Sequence, residues 1–478
     1  MRTPEPFSWD RAEARLGKFD GKFLIGVLTT GIYCLPSCTA RQPKAENVRI
    51  VRTEEDAKAL GLRACKRCRP DLFYRGEDED ISLFEGLAMR VRAAPQDFAD
   101  APALARVAGV SLTKLGDLFR EHAHLAPAAW LRRERVRAAA QRLLGTNERV
   151  VEVGYAAGFE SESVFHRQFL ALTRMTPGAY RAINGASVFL LHLPSFYRPQ
   201  EILAYHARDP ESPCERVDGN SIFKALRTPQ GPAVLELSLE NEGVWGKVHG
   251  LEKTSRDTIA LLHNSALRML GLNNEVTAFE TRIGKHLRFG QLVANRRGLR
   301  VPSTPTGFDG LCWAIIGQQV NVKFAGALRR EILNLAGEKI GDMRTHPAPD
   351  RVVDVGAARL AKLRYSRAKA DYLIGAAREV AEGRLDIEGL SETSAVAAEK
   401  QLLSLRGIGK WTARYTMLRG GFADAAPVGD SALATVLQRL HRLDERPDAE
   451  HVESLMQDFT PHRSLATCHL WASYRDAA

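Results

Sequence analysis

The sequence predicts a multidomain chain, mainly α with α+β, and three observations predict it. Its 478 residues exceed what one core usually organises, so about three to five folding units are expected. Apolar residues recur at helical spacing from Ala101 to about Ile183 and again from Pro305 to the end, whereas Phe189–Leu193 and Ala233–Glu240 read as strands, the second alternating apolar and polar. Four of the seven cysteines crowd into one short N-terminal window. The order expected along the chain is a four-cysteine metal domain over residues 1–76, a tandem helix-turn-helix over 96–184, an α+β domain over 187–300 and a helical domain over 301–478.

Composition narrows the function classes. With 45% hydrophobic and 26% charged residues the chain is ordinary globular material, neither disordered nor fibrous. The formal net charge of +10 suits a polyanionic partner. The start, MRTPEPFSWDRAEARL, is charged throughout and lacks the apolar core of a signal peptide. No stretch approaches the roughly 18 apolar residues of a membrane span. A cytoplasmic protein with no membrane partner is expected, and in that reducing compartment a cysteine cluster argues for a metal rather than disulfides.

The cluster reads Cys34-x3-Cys38 and, further on, Cys65-x2-Cys68, two short chelating turns that together close a tetrahedron of thiolates. Such a soft, four-coordinate set favours Zn2+. By spacing alone it serves either as a structural staple or as something more. The surrounding text, Thr29-Thr-Gly-Ile-Tyr-Cys34-Leu-Pro-Ser-Cys38-Thr-Ala-Arg41 with Cys65-Lys-Arg-Cys68-Arg-Pro70, resembles the metal domain of the Ada adaptive-response family over roughly residues 7–74. That resemblance implies that Cys34 accepts a methyl group from a methylated DNA phosphate. A metal-bound thiolate is ionised, and methylating it removes one negative charge from the site. Near a phosphate about 8 Å away that charge is worth up to roughly 2 kcal/mol at an effective dielectric of about 20, so methylation is expected to strengthen DNA binding. Thr30, Arg41, Lys66 and Arg67 are the candidate backbone contacts.

In Leu104–Arg120 a short helix ends at Gly109 and Ser111 is placed to cap the next, which is helix-turn-helix grammar. A second copy turns at Gly158 and continues through Ser161-Glu-Ser-Val-Phe-His-Arg167 to Met175-Thr-Pro177, with a basic connecting helix over Pro127–Leu144 between them. The tandem layout and the Ala-Gly-Phe…Met-Thr-Pro run resemble the AraC family of transcription regulators. Thr113, Lys114, Ser163, His166 and Arg167 occupy the fronts of the two recognition helices, facing base edges or phosphates. The resemblance makes promoter DNA, and with it RNA polymerase, expected partners. Pro213-Cys-Glu-Arg216 has the outline of the Ada family's second methyl acceptor but no histidine to activate the thiol, so direct O6-alkylguanine reversal is not expected.

Towards the end, Leu405-Arg-Gly407-Ile-Gly409-Lys-Trp411 makes a tight hairpin before a helix whose first amide N–H groups suit a DNA phosphate. Asp430 follows in Pro427-Val-Gly-Asp-Ser-Ala-Leu433. Together with Ala314-Ile-Ile-Gly-Gln318-Gln319-Val320, Leu363–Ala370 and His469-Leu-Trp471, these resemble the helix-hairpin-helix glycosylases of the AlkA 3-methyladenine type over about residues 187–478. The resemblance implies that Asp430 is the catalytic carboxylate and that Trp411, Tyr415, Trp471 and Tyr205 line the base pocket. It also implies that Gly407, Gly409, Gln318 and Gln319 meet DNA. Alkylated purines are cationic leaving groups, so base flipping and stabilisation of the sugar cation carry the chemistry, and aromatic faces favour a cationic base.

Departures from the pattern sharpen it. Trp411 stands where strand-cutting relatives keep a lysine, which implies a monofunctional hydrolase. Only Cys468 follows Asp430, too few thiols for the iron–sulfur cluster of some relatives. Gln319 replaces the leucine wedge of the family's best-known form. The rival reading is a DNA-binding regulator on an inactive glycosylase scaffold.

Overall fold

The computed structural model describes residues 8–15, 17–76 and 78–476. Residues 1–7, Leu16, Glu77 within the charged run that follows the cysteine domain, and the last two residues lie outside the described residues. The chain divides into two compact units, Met1–Leu83 and Phe84–Ala478.

The first unit is built on a small sheet of β1 (Leu24–Val27), β2 (Ile32–Cys34), β3 (Val48–Val51) and β4 (Arg63–Ala64), ordered β3-β1-β2-β4. β2 and β4 run parallel, with Ile32 opposite Arg63 and Tyr33 opposite Ala64. This pairing brings the first cysteine pair, at the end of β2, beside the second, which follows β4. Leu24, Tyr33, Leu35, Val51 and Leu62 form one small apolar core. A core this thin needs an added staple.

The second unit begins with the helix-turn-helix pair. α1 (Ala101–Ala108) ends at Gly109, whose φ of 67° is the left-handed value that favours glycine. Ser111 then caps α2 (Leu112–His122), its hydroxyl accepting from the Lys114 N–H at 3.2 Å. α3 (Pro127–Gly145) connects to α4 (Val150–Ala156), α5 (Glu162–Thr173) and α6 (Pro177–Ala182). Gly158 makes the second turn at φ 93°, but no side-chain hydrogen bond from Ser161 caps α5.

Next comes β5 (Val188–Leu191), then α7 (Pro199–His206), β6 (Glu215–Asp218), β7 (Ser221–Thr228), β8 (Gly231–Glu240) and β9 (Gly243–His249). The sheet is antiparallel throughout, in the order β5-β9-β8-β7-β6, and α8 (Arg256–Met269) follows it. The alternation in Ala233–Glu240 appears as alternate burial, with Leu235 and Leu237 fully covered. One apolar core runs from Phe159, Phe165 and Phe169 of the second helix-turn-helix into Phe189, Leu235 and Leu237 of the sheet. His263 of α8 seals it, its Nε2 lying 2.8 Å from the Thr173 carbonyl.

The remaining helices share a second core, which includes α9 (Gly307–Ile316), buried at every position. That α9 is covered on all sides places it at the centre of the helical domain. A buried ionic cluster joins the sheet to it. Asp309 of α9 takes two hydrogen bonds from Arg329, at 2.8 and 3.0 Å, and Lys224 of β7 reaches Glu215 at 3.0 Å and Asp309 at 3.5 Å. Burial works against the Lys224 ammonium, yet Cys214, Glu215 and Asp309 around it raise its pKa above the usual lysine range. Cys214, from the Pro213-Cys-Glu-Arg216 run, is completely buried here. Among the described residues no helix is long and apolar enough to cross a membrane.

Candidate active site and nucleic-acid interface

The four sulfurs of Cys34, Cys38, Cys65 and Cys68 lie within 4.8 Å of one another. Two backbone donors point at them, the Leu35 N–H at Cys68 Sγ and the Arg67 N–H at Cys65 Sγ, each at 3.4 Å. N–H groups aimed at sulfur stabilise thiolates, so the donor set fits a metal ion that takes four soft ligands. The cluster is a metal site. Cys34 is buried at 8% exposure, while Thr30, Arg41, Lys66 and Arg67 are exposed.

Thr113, Lys114, Ser163 and Arg167 are exposed near the starts of α2 and α5, and His166 is half-buried. The opposite faces, Leu115, Leu118 and Phe119 on α2 and Phe165 and Phe169 on α5, are buried, so the polar positions point away from the core.

The hairpin lies between α10 (Ala395–Ser404) and α11 (Lys410–Gly420). Gly407 has φ 82°, and a Cβ there would sit 2.3 Å from the Tyr372 ring, so both conformation and packing demand glycine. Gly409 caps α11 with open space on its free side, as close approach of a phosphate requires. Gln318 is tied to this hairpin, its amide donating to the Gly407 carbonyl and to Thr412 Oγ1 at 3.0 Å each. Gln319 is exposed and left-handed, with φ 55°. A non-glycine residue held this way projects from a constrained loop.

Lys369 supplies part of that constraint and was not singled out from sequence. Its Nζ is 2.8 Å from the Ile316 carbonyl and 3.0 Å from that of Gln318. Burial lowers its pKa. Nothing in the residue type distinguishes a lysine that pins carbonyls from one in solvent; the fold supplies the distinction.

Asp430 is the N-cap of α12 (Ser431–His441). Its Oδ1 accepts from the Ala432 and Leu433 N–H groups at 3.0 Å each and from Trp471 Nε1 at 3.1 Å. No donor among the described residues reaches Oδ2. Helix cap and presented carboxylate are therefore one arrangement: three donors fix Oδ1, and Oδ2 is left for an incoming group.

Trp471 belongs to α13 (Arg463–Arg475). Its ring lies 6.0 Å from that of Tyr415, which stacks on Trp411 at 5.2 Å and 26°. Tyr415 Oη accepts from Trp313 Nε1 at 3.1 Å. Two arginines also occupy this aromatic cluster. Arg419, 5% exposed, lies 4.7 Å from the Tyr205 ring, 5.2 Å from Tyr415 and 5.5 Å from Trp471, and Arg208 lies 4.0 Å from Tyr205 and 4.6 Å from Trp313. The structure thus brings Trp411, Tyr415, Trp471 and Tyr205 into one cluster, with cations already against several of the rings. The guanidiniums escaped sequence reasoning because aromatic spacing gives no hint of which arginine folds over which ring.

Known proteins resemble this chain in the same order. Residues 8–71 match the family described as metal binding domain of Ada, residues 104–183 a helix-turn-helix domain, and residues 312–462 the HhH-GPD superfamily of base excision DNA repair proteins. A Mycobacterium tuberculosis protein named "Probable bifunctional transcriptional activator/DNA repair enzyme AlkA" is 28% identical over 480 residues, covering 96% of this chain and 95% of its own. A DNA-3-methyladenine glycosylase of Bacillus subtilis is 26% identical over 295 residues, covering 59% of this chain and 96% of its own. Among solved structures, a 3-methyladenine DNA glycosylase from Archaeoglobus fulgidus shares the fold, with a TM-score of 0.54 and 19% identity over 61% of this chain and 99% of its own. With the hairpin, the capped carboxylate, the paired helix-turn-helix and the four-thiol site in one polypeptide, the chain is a DNA-binding fusion of an Ada-type regulator with a DNA glycosylase of the HhH-GPD superfamily.

Proposed function

We propose that the chain excises alkylated bases of the 3-methyladenine type from double-stranded DNA by monofunctional hydrolysis, and that its N-terminal domain senses methylated DNA phosphates. The observation that carries the first part is the Asp430 arrangement, one oxygen fixed by three donors and the other presented near an aromatic cluster.

Gly409 and the start of α11 hold a DNA phosphate through backbone N–H groups. Gln319, projecting from its loop, enters the space a flipped nucleotide leaves and hydrogen-bonds the orphaned base. The flipped base lies among Trp411, Tyr415, Trp471 and Tyr205. As the N-glycosidic bond breaks, its electron pair leaves with the base and positive charge grows on the sugar. Asp430 Oδ2 offsets that charge and orients the water that adds there. With Trp411 in place of a lysine, no Schiff base forms. The deciding experiment is release of free base from methylated duplex by the wild-type chain and by Asp430→Asn.

In the regulatory half, Cys34, Cys38, Cys65 and Cys68 would hold a zinc ion, whose chemistry there is to keep thiols ionised at neutral pH. The Cys34 thiolate attacks the methyl carbon of a phosphate triester; an S–C bond forms, the C–O bond breaks and the phosphate diester departs with the electron pair. Thr30, Arg41, Lys66 and Arg67 contact the backbone, and Lys114, His166 and Arg167 engage promoter DNA. RNA polymerase is the partner an activator of this kind recruits. Mass spectrometry of Cys34 after incubation with methylated DNA tests the transfer. The working domain limits remain 1–76, 96–184, 187–300 and 301–478.

A further inference from the structure

The first helix-turn-helix lies against the glycosylase. At the end of α2, His122 is 2% exposed, stacks on Phe84 at 5.5 Å and lies 2.7 Å from Ser394 Oγ. Ser394 is the N-cap of α10, the first helix of the hairpin motif, and is fully buried. Two residues on, His124 accepts the Asp424 N–H at Nδ1, 3.3 Å away, and meets the Phe422 ring edge-on. Asp424 is 6% exposed, pinned by Arg463, and lies on the loop that runs to Asp430. A third contact comes from α3. Its Glu134, 3% exposed, gathers Arg92 at 3.4 Å and Arg137 at 3.2 Å, and both arginines continue to Glu392, one to its carbonyl and one to its carboxylate, at 2.6 Å each. Buried hydrogen bonds at two points, with an exposed arginine–glutamate bridge at a third, describe a built interface rather than an incidental touch.

The position of α2 in this interface has a consequence for DNA. Thr113, Asp117 and Arg120 recur at helical spacing on the side opposite the buried Leu115, Leu118 and Phe119, the side a recognition helix turns to a groove. Asp117, Arg120 and Glu121 form one wall of a cleft of about 450 Å3 whose other wall includes Glu399 of α10 and Arg414 of α11. A helix seated in a major groove about 12 Å wide has a backbone wall of the duplex on either side, and along Asp117 and Arg120 one such wall would have to occupy the cleft that Glu399 and Arg414 line from the other side.

We propose that docking on the hairpin motif autoinhibits the regulator: α2 enters a major groove only after the first helix-turn-helix leaves α10 and the Asp424 loop. Operator duplex and glycosylase then compete for one helix. This rests on the DNA-binding role of the helix-turn-helix pair and not on glycosylase chemistry, so base release remains an independent readout. By linkage, whatever favours the docked state weakens operator binding by the same factor that operator binding weakens docking.

The test uses the full chain. A random-core duplex pool is enriched on it and counter-selected against Lys114→Ala/Arg167→Ala, leaving duplexes that bind through the helix-turn-helix pair. Affinity for that pool is compared between wild type, Glu392→Arg and His122→Ala/His124→Ala. Glu392 is half-exposed, so its reversal breaks the Arg137 bridge without emptying a core. Both variants should bind at least about fivefold tighter, the low end of a typical coupling, and in wild type the pool should raise hydrogen exchange across residues 394–404. Equal or weaker binding by Glu392→Arg at unchanged thermal stability, or residues 394–404 equally protected with and without the pool, overturns the proposal. Failure to enrich any such duplex on wild type or variants removes the DNA-binding premise, whatever base release shows.

Discussion

The indole N–H of Trp471 donates to Asp430 Oδ1 at 3.1 Å, so one aromatic side chain both packs beside Tyr415 and holds the carboxylate. Replacing Trp471 by Phe keeps a ring and removes the donor. A hydrogen bond to a charged acceptor is worth about 1.5–3 kcal/mol, so kcat for base release should fall roughly 10- to 100-fold while KM changes little. Trp471→Ala should raise KM as well. Single-turnover kinetics separate the two, and an unchanged kcat in Trp471→Phe would refute the holding role.

Asp430→Asn keeps the shape and removes the charge. Release of 3-methyladenine should drop by at least about 100-fold while binding to methylated DNA survives. In the same reactions, strands should break only after alkali or heat, and borohydride should trap no wild-type protein on DNA. Near wild-type release by the mutant dismisses Asp430, and trapping dismisses monofunctional hydrolysis.

One zinc per chain is the expected metal content, lost on chelation with unfolding of the small domain, because its apolar core is too thin to stand alone. Cys34→Ser should accept no methyl group from methylated DNA, and methylated wild type should bind promoter DNA more tightly. Stoichiometric methylation of Cys38 in the mutant would move the acceptor.

Gly407→Ala should weaken binding to any duplex, damaged or not. Its Cβ meets the Tyr372 ring at 2.3 Å, and a left-handed non-glycine residue costs about 1–2 kcal/mol. Gel-shift titration and thermal melting check it; Gly409→Ala, with open space around its Cβ, should leave the melting temperature closer to wild type.

Burial lowers the pKa values of His124, His263, His346 and His469 to about 4 from the ordinary 6.5. Between those values the unfolded chain binds more protons than the folded one, so stability rises with pH across that window. It is fully present above about 6.5 and lost as pH falls towards 4. Melting temperatures should fall steeply across this interval, and a flat profile would contradict buried neutral imidazoles.

What the sequence determined by itself was whatever depends on residue type at short range. Chelating turns bring Cys34 near Cys38 and Cys65 near Cys68, Gly407-Ile-Gly409 makes its hairpin, Ser111 caps α2, and the alternation in Ala233–Glu240 makes a strand, because neighbours along the chain are the partners. Family resemblance extended this to Asp430 and its aromatic neighbours. Only the tertiary structure decided which oxygen of Asp430 is held, that Lys369 pins the Gln318 loop, that Arg208 and Arg419 lie over the Tyr205 ring, and that His122 and His124 hold the first helix-turn-helix against the hairpin motif. Those contacts join residues up to 300 positions apart. Their energies come from desolvation and hydrogen-bond geometry, which exist only once the chain has buried both partners together.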